Sequence, residues 1–240
     1  MPGLETAGAI KGLPRAKESL FLNIPYDSSF TRLYLAYIAG VSSFGLVPRA
    51  TLEIPGGERR LYRILSLIRS CAYSLHDLSR VELDPHTPRA PRFNMPFELG
   101  LAVSWQKLKR ANHTWFVFEA MPRRAEKSLS DISGTDVYIH NGNTRGVFRQ
   151  LCNAFVRLKS QPTTQDMEQI YGRLTDLMPE LQERTGASSP FEAAVFKELV
   201  IAARALTQRQ KASEASPSLQ ADLPLFIRRD FFRGAWHGGS

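Results

Sequence analysis

Three polar stretches of this chain carry side chains able to act on a ligand, and each adjoins an apolar run. "PRFNMPFELGLAVSW" (91–105) places a single carboxylate, Glu98, inside a segment otherwise suited to burial. "FLNIPYDSSF" (21–30) presents Asn23, Tyr26, Asp27 and Ser28, and "SLHDLSR" (74–80) presents His76, Asp77, Ser79 and Arg80. A buried carboxylate without a partner costs several kcal/mol, so Glu98 demands either a partner or a role. Two readings stand there. Asn94 or Met95 caps a helix with Pro96 in its first turn, and Glu98 then satisfies the unbonded first-turn amides. Alternatively, the carboxylate lines a pocket. The other stretches divide in the same way. Asp27 or Ser28 caps a helix, or one of them holds a ribose hydroxyl while Tyr26 stacks on a base. Asp77 makes a turn or faces a ligand. Arg92, just before the Glu98 helix, is a surface residue of a proline-rich loop or a phosphate reader, since guanidinium pairs bidentately with such oxygens. Arg80 and Arg89 compete for that role.

Other chemistries lack their residues. The 23–29 loop contains no glycine, so it is neither a Walker loop nor a dinucleotide fingerprint. No Ser-His-Asp or Cys-His arrangement is defensible. Cys71 and Cys152 lie inside hydrophobic runs, form no metal-ligand cluster and fit a reducing compartment. No metal site is expected.

Positioning these stretches requires a regular framework. From residue 20 to about 159, short β-prone runs alternate with helical patterns. Strands are expected over 20–25, 44–50, 71–79, "HTWFVFEA" and "DVYIHNG". Leu61, Ile64, Leu65 and Ile68 mark a helix by spacings of three and four. Five such βα units predict an α/β domain with a mainly parallel sheet, in the flavodoxin-like order 2-1-3-4-5. Ligands of such sheets bind beyond the carboxyl ends of the strands where the order reverses, here strands one and three. Residues 1–18 read as a flexible leader and 19–160 as the α/β domain. Residues 161–207 read as a helical hairpin, packed on the sheet domain or on another subunit. Its first helix is expected to bend or break before Pro179, and its second to start at "SPFE" with Ser189 as cap and Glu192 completing a capping box. Residues 208–240 read as linker and tail.

The 240 residues are 43% hydrophobic, enough for one domain with an appendage and a sizeable core. No apolar run reaches membrane-spanning length and the N-terminus lacks a signal peptide's apolar centre, so a cytosolic protein is expected, without a membrane partner. The formal charge of +8 admits a nucleic-acid partner, but the basic residues are scattered and no zinc-finger, RNP or basic-stripe pattern accompanies them. The same charge suits a small phosphorylated ligand.

"FLNIPYDSSF", "SLHDLSRVELD" and "RFNMPFELGLAV" together resemble small bacterial proteins of the TIR-like and nucleoside 2-deoxyribosyltransferase-like superfamily, over residues 20–159. The resemblance is carried chiefly by "PFELGLA", which matches the E-x-G-x-A helix bearing the transferase's catalytic glutamate. It implies a flavodoxin-like fold that cleaves N-glycosidic bonds, as the TIR relatives do in hydrolysing NAD. It further implies that Glu98 is the catalytic carboxylate, that Tyr26 and Asp27 line a base and sugar pocket, and that Asp77 contacts the ribose. The acidic residue and Gly-Thr pair of the transferases are missing before Glu98, where Arg92 and Asn94 stand; this departure points to a phosphorylated ligand. The expectation is an N-glycosidase acting on a nucleotide, an NAD-like dinucleotide or a nucleoside, by association an antiviral-defence effector. NAD or a nucleotide would be its substrate, and no cofactor is expected. The alternative is a non-catalytic nucleotide-binding sensor that signals through the helical hairpin to a second copy or a partner protein. A third reading is a nucleic-acid-binding accessory protein.

Overall fold

Parallel strands cannot be joined by tight hairpins, and here each crossover carries a helix or a long loop. The computed structural model describes residues 18–53, 59–80, 93–109 and 112–215. Its five strands are β1 (Ser19–Asn23), β2 (Val47–Arg49), β3 (Tyr73–Asp77), β4 (Thr114–Glu119) and β5 (Val137–Ile139). They form one all-parallel sheet in the order β2-β1-β3-β4-β5, the flavodoxin-like arrangement expected. The strands are shorter than the apolar runs that announced them, because several of those residues are spent on entering and leaving the sheet.

Alternation along the strands divides the core into two faces. Leu20, Leu22, Leu75 and Phe118 point into the cluster formed with α1 (Thr31–Ser43), α5 (Thr144–Ala154) and α6 (Thr164–Thr185). Phe21 points the other way, toward α2 (Arg60–Ser70) and α3 (Asn94–Lys109). Val117 meets Met95 and Leu99 of α3 and Ala125 of the short α4 (Arg124–Ser128) on that second face. Residues 33–43 of α1 are buried throughout, and α1 packs against the sheet, α5 and α6. That triple packing explains why "LYLAYIAGVSS" has no charged face. Gly40 allows α1 and α5 to approach closely, since a Cβ there would force the tip of the Leu151 side chain to move.

The chain divides into two units, Met1–Thr207 and Gln208–Ser240. Within the first, the hairpin packs on the sheet domain: Met167, Ile170 and Leu174 of α6 and Val195, Phe196 and Leu199 of α7 (Ala193–Ala215) join the α1 core. Three expectations need correction. Of the bend or break expected at Pro179 the break does not occur: α6 is one helix through it, because its buried stripe continues from Leu174 to Leu181 on either side and the proline lies on the exposed side, where water can serve the freed carbonyl. α7 begins at Ala193 rather than at Pro190. Glu192 does accept from the Ser189 amide at 3.1 Å, but the Ser189 hydroxyl accepts from the Phe191 amide, so residues 189–192 form a turn ahead of the helix. Residues 208–215, expected as linker, continue α7 as helix, in keeping with their Gln, Arg, Lys and Ala content. The expected leader (1–17) and tail (216–240) lie outside the described residues. Among the described residues, no helix is long and apolar enough to cross a membrane.

Candidate functional site

At the switch point β1 lies between β2 and β3, and the chain leaves its carboxyl end through Ile24 and Pro25. The first turns of α2 and α3 open on the same side of the sheet. Glu98 sits there, 4% exposed. α3 begins earlier than expected: the Phe93 carbonyl accepts from the Phe97 amide at 3.0 Å, so Phe93 caps the helix and Asn94 is its first, exposed residue. Glu98 therefore lies in the second turn, past the unbonded amides, and the capping role is removed. Among the described residues no group donates a hydrogen bond to it. Its one ionic neighbour among the described residues is Arg60 at the start of α2, with Nη2 3.9 Å from Oε1. Burial pushes the Glu98 carboxyl up to about 7, against the opposing pull of the Arg60 guanidinium.

Tyr26 completes this cluster. Its hydroxyl donates to the Leu22 carbonyl at 3.3 Å and lies near Thr51, just beyond β2. Burial holds that hydroxyl protonated, and the nearby Glu98 charge reinforces the effect. Its ring packs against Phe191 of the α6–α7 turn, with centroids 6.0 Å apart. Glu53, close enough to act on Tyr26, is itself held by Arg49 at 2.9 Å and by the Ala50 amide at 2.7 Å. The carboxylate, guanidinium, phenol and Thr51 hydroxyl thus come from four separate segments. Arg60 and Thr51 were not singled out in the sequence. The available signal was their position, since both follow β2 at the end of the sheet where ligands bind.

Asn23, expected to touch substrate, is already occupied. Its Nδ2 donates to His76 Nδ1 at 2.8 Å and to the Met95 carbonyl at 3.0 Å. The strand register that pairs Asn23 with His76 makes this possible. His76 is fully buried, and burial together with His113 drives its pKa down to about 3, so the ring is neutral.

Asp77 points to the opposite face of the sheet, as the alternation after His76 requires. It is fully buried and accepts from the Tyr37 hydroxyl at 2.6 Å, the Ser79 amide at 2.9 Å and His140 Nε2 at 3.2 Å. Burial alone would raise its pKa, but the hydrogen bonds, that of His140 foremost, hold it below the usual carboxylate value. The Gly142 amide donates to His140 Nδ1 at 3.1 Å, which places the ring proton on Nε2, facing Asp77. Ser79 is equally engaged: its hydroxyl meets His140 at 3.1 Å and its carbonyl accepts from Arg124 at 2.7 Å. Asp77 and Ser79 therefore build the β3 exit on the α1 side, and neither lies beside Glu98.

The rim is formed by the two strand exits. Arg80 pairs with Asp27 at 3.1 Å and also meets the Ser29 hydroxyl, tying the loop after β1 to the exit of β3. Ser28 is exposed and its carbonyl accepts from Thr31 Oγ1 at 2.9 Å. The exits of strands one and three meet as expected. Arg92 and Arg89 lie outside the described residues. Among the described residues no group of three or more His, Cys, Asp or Glu could hold a metal ion. Cys71 is buried, and burial pushes its thiol up to about 12. No protein-family model and no curated protein matches the chain, so the chemistry of this cluster rests on its own residues.

Proposed function

We propose that this chain is an N-glycosidase directed at nucleotides or NAD-like dinucleotides, with Glu98 as the carboxylate that faces the anomeric carbon. The observation that carries the reading is a buried carboxylate at the switch point with no hydrogen-bond donor among the described residues. Breaking the bond between C1′ and the base nitrogen sends the electron pair out with the base and leaves positive charge on the ribose. A carboxylate in a water-poor site stabilises that charge, or bonds to C1′ until water replaces it. Ribose hydroxyls would supply the donors that Glu98 lacks among the described residues, while the one proton of the Tyr26 hydroxyl is already given to the Leu22 carbonyl. Tyr26 itself is clamped by Phe191 and is a poor stacking platform. Phe93 and Phe97, 69% and 55% exposed at the start of α3, offer free aromatic faces for a base. On this reading the cellular role would be depletion of a nucleotide, as the TIR-like resemblance implies for antiviral-defence effectors.

The test is incubation with NAD, NADP and a panel of nucleotides, following release of the free base by mass spectrometry. Turnover that rises with pH through about 7, and that Glu98→Gln abolishes without unfolding, is the expected outcome. Equal turnover by the folded Gln variant removes Glu98 from the chemistry. A second reading, a nucleotide-binding sensor, is favoured by the contact of Tyr26 with Phe191, which joins the cluster to the α6–α7 hairpin. Tight nucleotide binding with no product at any pH would select it.

A further inference from the structure

Beneath α3 a single file of hydrogen bonds runs along β3. Asn23 Nδ2 meets His76 Nδ1 at 2.8 Å, His76 Nε2 meets Ser74 Oγ at 2.9 Å, and Ser74 Oγ meets His113 Nε2 at 2.9 Å. His113 Nδ1 ends the file on the Cys71 carbonyl at 2.9 Å. A carbonyl only accepts, so His113 carries its proton on Nδ1 and takes the Ser74 proton at Nε2. Ser74 then accepts from His76 Nε2, and His76 Nδ1 must accept from Asn23. At the other end the Met95 carbonyl, 3.0 Å away, fixes the Asn23 amide orientation, since the reverse would oppose two oxygens. Every link has one direction. All four side chains are buried, at 4% exposure or less. No charge is needed anywhere in the file, and burial lowers the pKa of both histidines.

The file has one contact with α3, and that contact falls three residues before Glu98. We propose that Asn23 is a positioning residue for Glu98: by donating one amide hydrogen to His76 and the other to the Met95 carbonyl, it fixes the first turn of α3 and hence the depth at which the Glu98 carboxylate is held. Apolar contacts of Met95 and Leu99 press α3 on the sheet but allow sliding, whereas a hydrogen bond to one carbonyl specifies the register. Among the described residues, the charged and titratable groups facing Glu98 are Arg60 from α2 and Tyr26 from the loop after β1. β1 and β3 present the neutral Asn23 and His76.

This inference shares its centre with the proposed glycosidase, but its test needs no turnover. The full chain carrying 13C-labelled glutamate is titrated by NMR, with Glu98 assigned from Glu98→Gln. Asn23→Leu should let the carboxylate reach water and lower its midpoint by about one pH unit or more, from about 7 toward 4.5. Asn23→Ser, which keeps a hydroxyl too short to reach both acceptors, should move it the same way and serves if the Leu variant does not fold. Ser74→Ala is the control: it interrupts the file two strand positions away but leaves both Asn23 bonds, so thermal stability falls while the Glu98 midpoint holds. If the Asn23 variants lose stability with the midpoint unmoved, or if Ser74→Ala moves it equally, Asn23 is only part of the core and the proposal is overturned.

Discussion

Replacing Glu98 by Gln should stabilise the protein relative to the native chain progressively as pH climbs from about 4.5 to about 7, and hold that gain above it. The Glu98 carboxyl is raised from 4.5 to about 7, chiefly by burial. At about 1.4 kcal/mol per pH unit, that rise is worth about 3 kcal/mol. For an acid so raised, the folded state keeps its proton while the unfolded chain has already lost it. Stability therefore falls as pH climbs from about 4.5 to about 7 and is level above that. A neutral amide of the same shape feels none of this. Urea denaturation of both proteins from about pH 5 to about pH 8 isolates the effect, because every other titrating group cancels in the difference between them. The amide has its own burial cost, but that cost is constant with pH, so the change in the difference is what is read. The Gln variant should gain about 2.5 kcal/mol relative to the native chain across this range, the remainder of the shift falling below about pH 5. A difference that stays flat would show that Glu98 is solvated or satisfied, and the argument that it awaits a ligand would fall with it.

Arg60→Met should push the Glu98 midpoint higher still, by less than about one pH unit because the Arg60 side chain is 59% exposed and well screened; an NMR titration that shows a fall contradicts the pairing. Asp77→Asn should cost about 3 kcal/mol at neutral pH, since the amide turns a donor toward Tyr37, Ser79 or His140, and it should leave the Glu98 midpoint where it was. A shifted midpoint would mean that the two faces of the sheet communicate. Phe191→Ala should loosen Tyr26 and Tyr34 together, with a loss of about 1–3 kcal/mol in denaturation and weaker nucleotide binding. Unchanged binding would detach the hairpin from the site.

The sheet order was legible because alternating β-prone runs and helical stripes leave few topologies for a right-handed parallel sheet. The side of the sheet on which each polar residue falls was harder to read. "SLHDLS" shows His76 and Asp77 as neighbours, but the alternation that sends them to opposite faces matters only once α3 is known to cover one face and α1 the other. Glu98 was found because a lone carboxylate in an apolar helix is conspicuous. The start of its helix was missed by one or two residues, enough to move Glu98 from the first turn to the second, because Phe93 caps with its carbonyl and offers no capping side chain for a sequence reader to notice. Pro179 misled for a related reason, since a proline's local penalty is visible in sequence and the packing on both sides that overrides it is not. Arg60 escaped because nothing in "GGERRLY" announces that α2 and α3 pack together and bring the start of α2 to Glu98.

What distinguishes Glu98 is the care taken with the other buried acids. On the α1 face Asp77 accepts three hydrogen bonds. At the end of β4 Glu119, also fully buried, accepts from the Ala120 amide at 2.7 Å and from Arg124 Nε at 3.1 Å. Beneath α3 four neutral side chains settle their donors and acceptors in one file. Among the described residues the Ser42 hydroxyl in α1 has no hydrogen-bond partner, but an unpaired neutral hydroxyl costs far less than a buried carboxylate without hydrogen-bond donors. Among the described residues, Asp77 and Glu119 receive amides, a phenol and a guanidinium at hydrogen-bond distance, and Glu98 receives none of these. Moving the carboxylate one turn earlier in α3 would have placed it among unbonded amides. Retaining it in the second turn, at a standing cost to stability, is the kind of local violation expected where a fold reserves a group for something it does not itself contain.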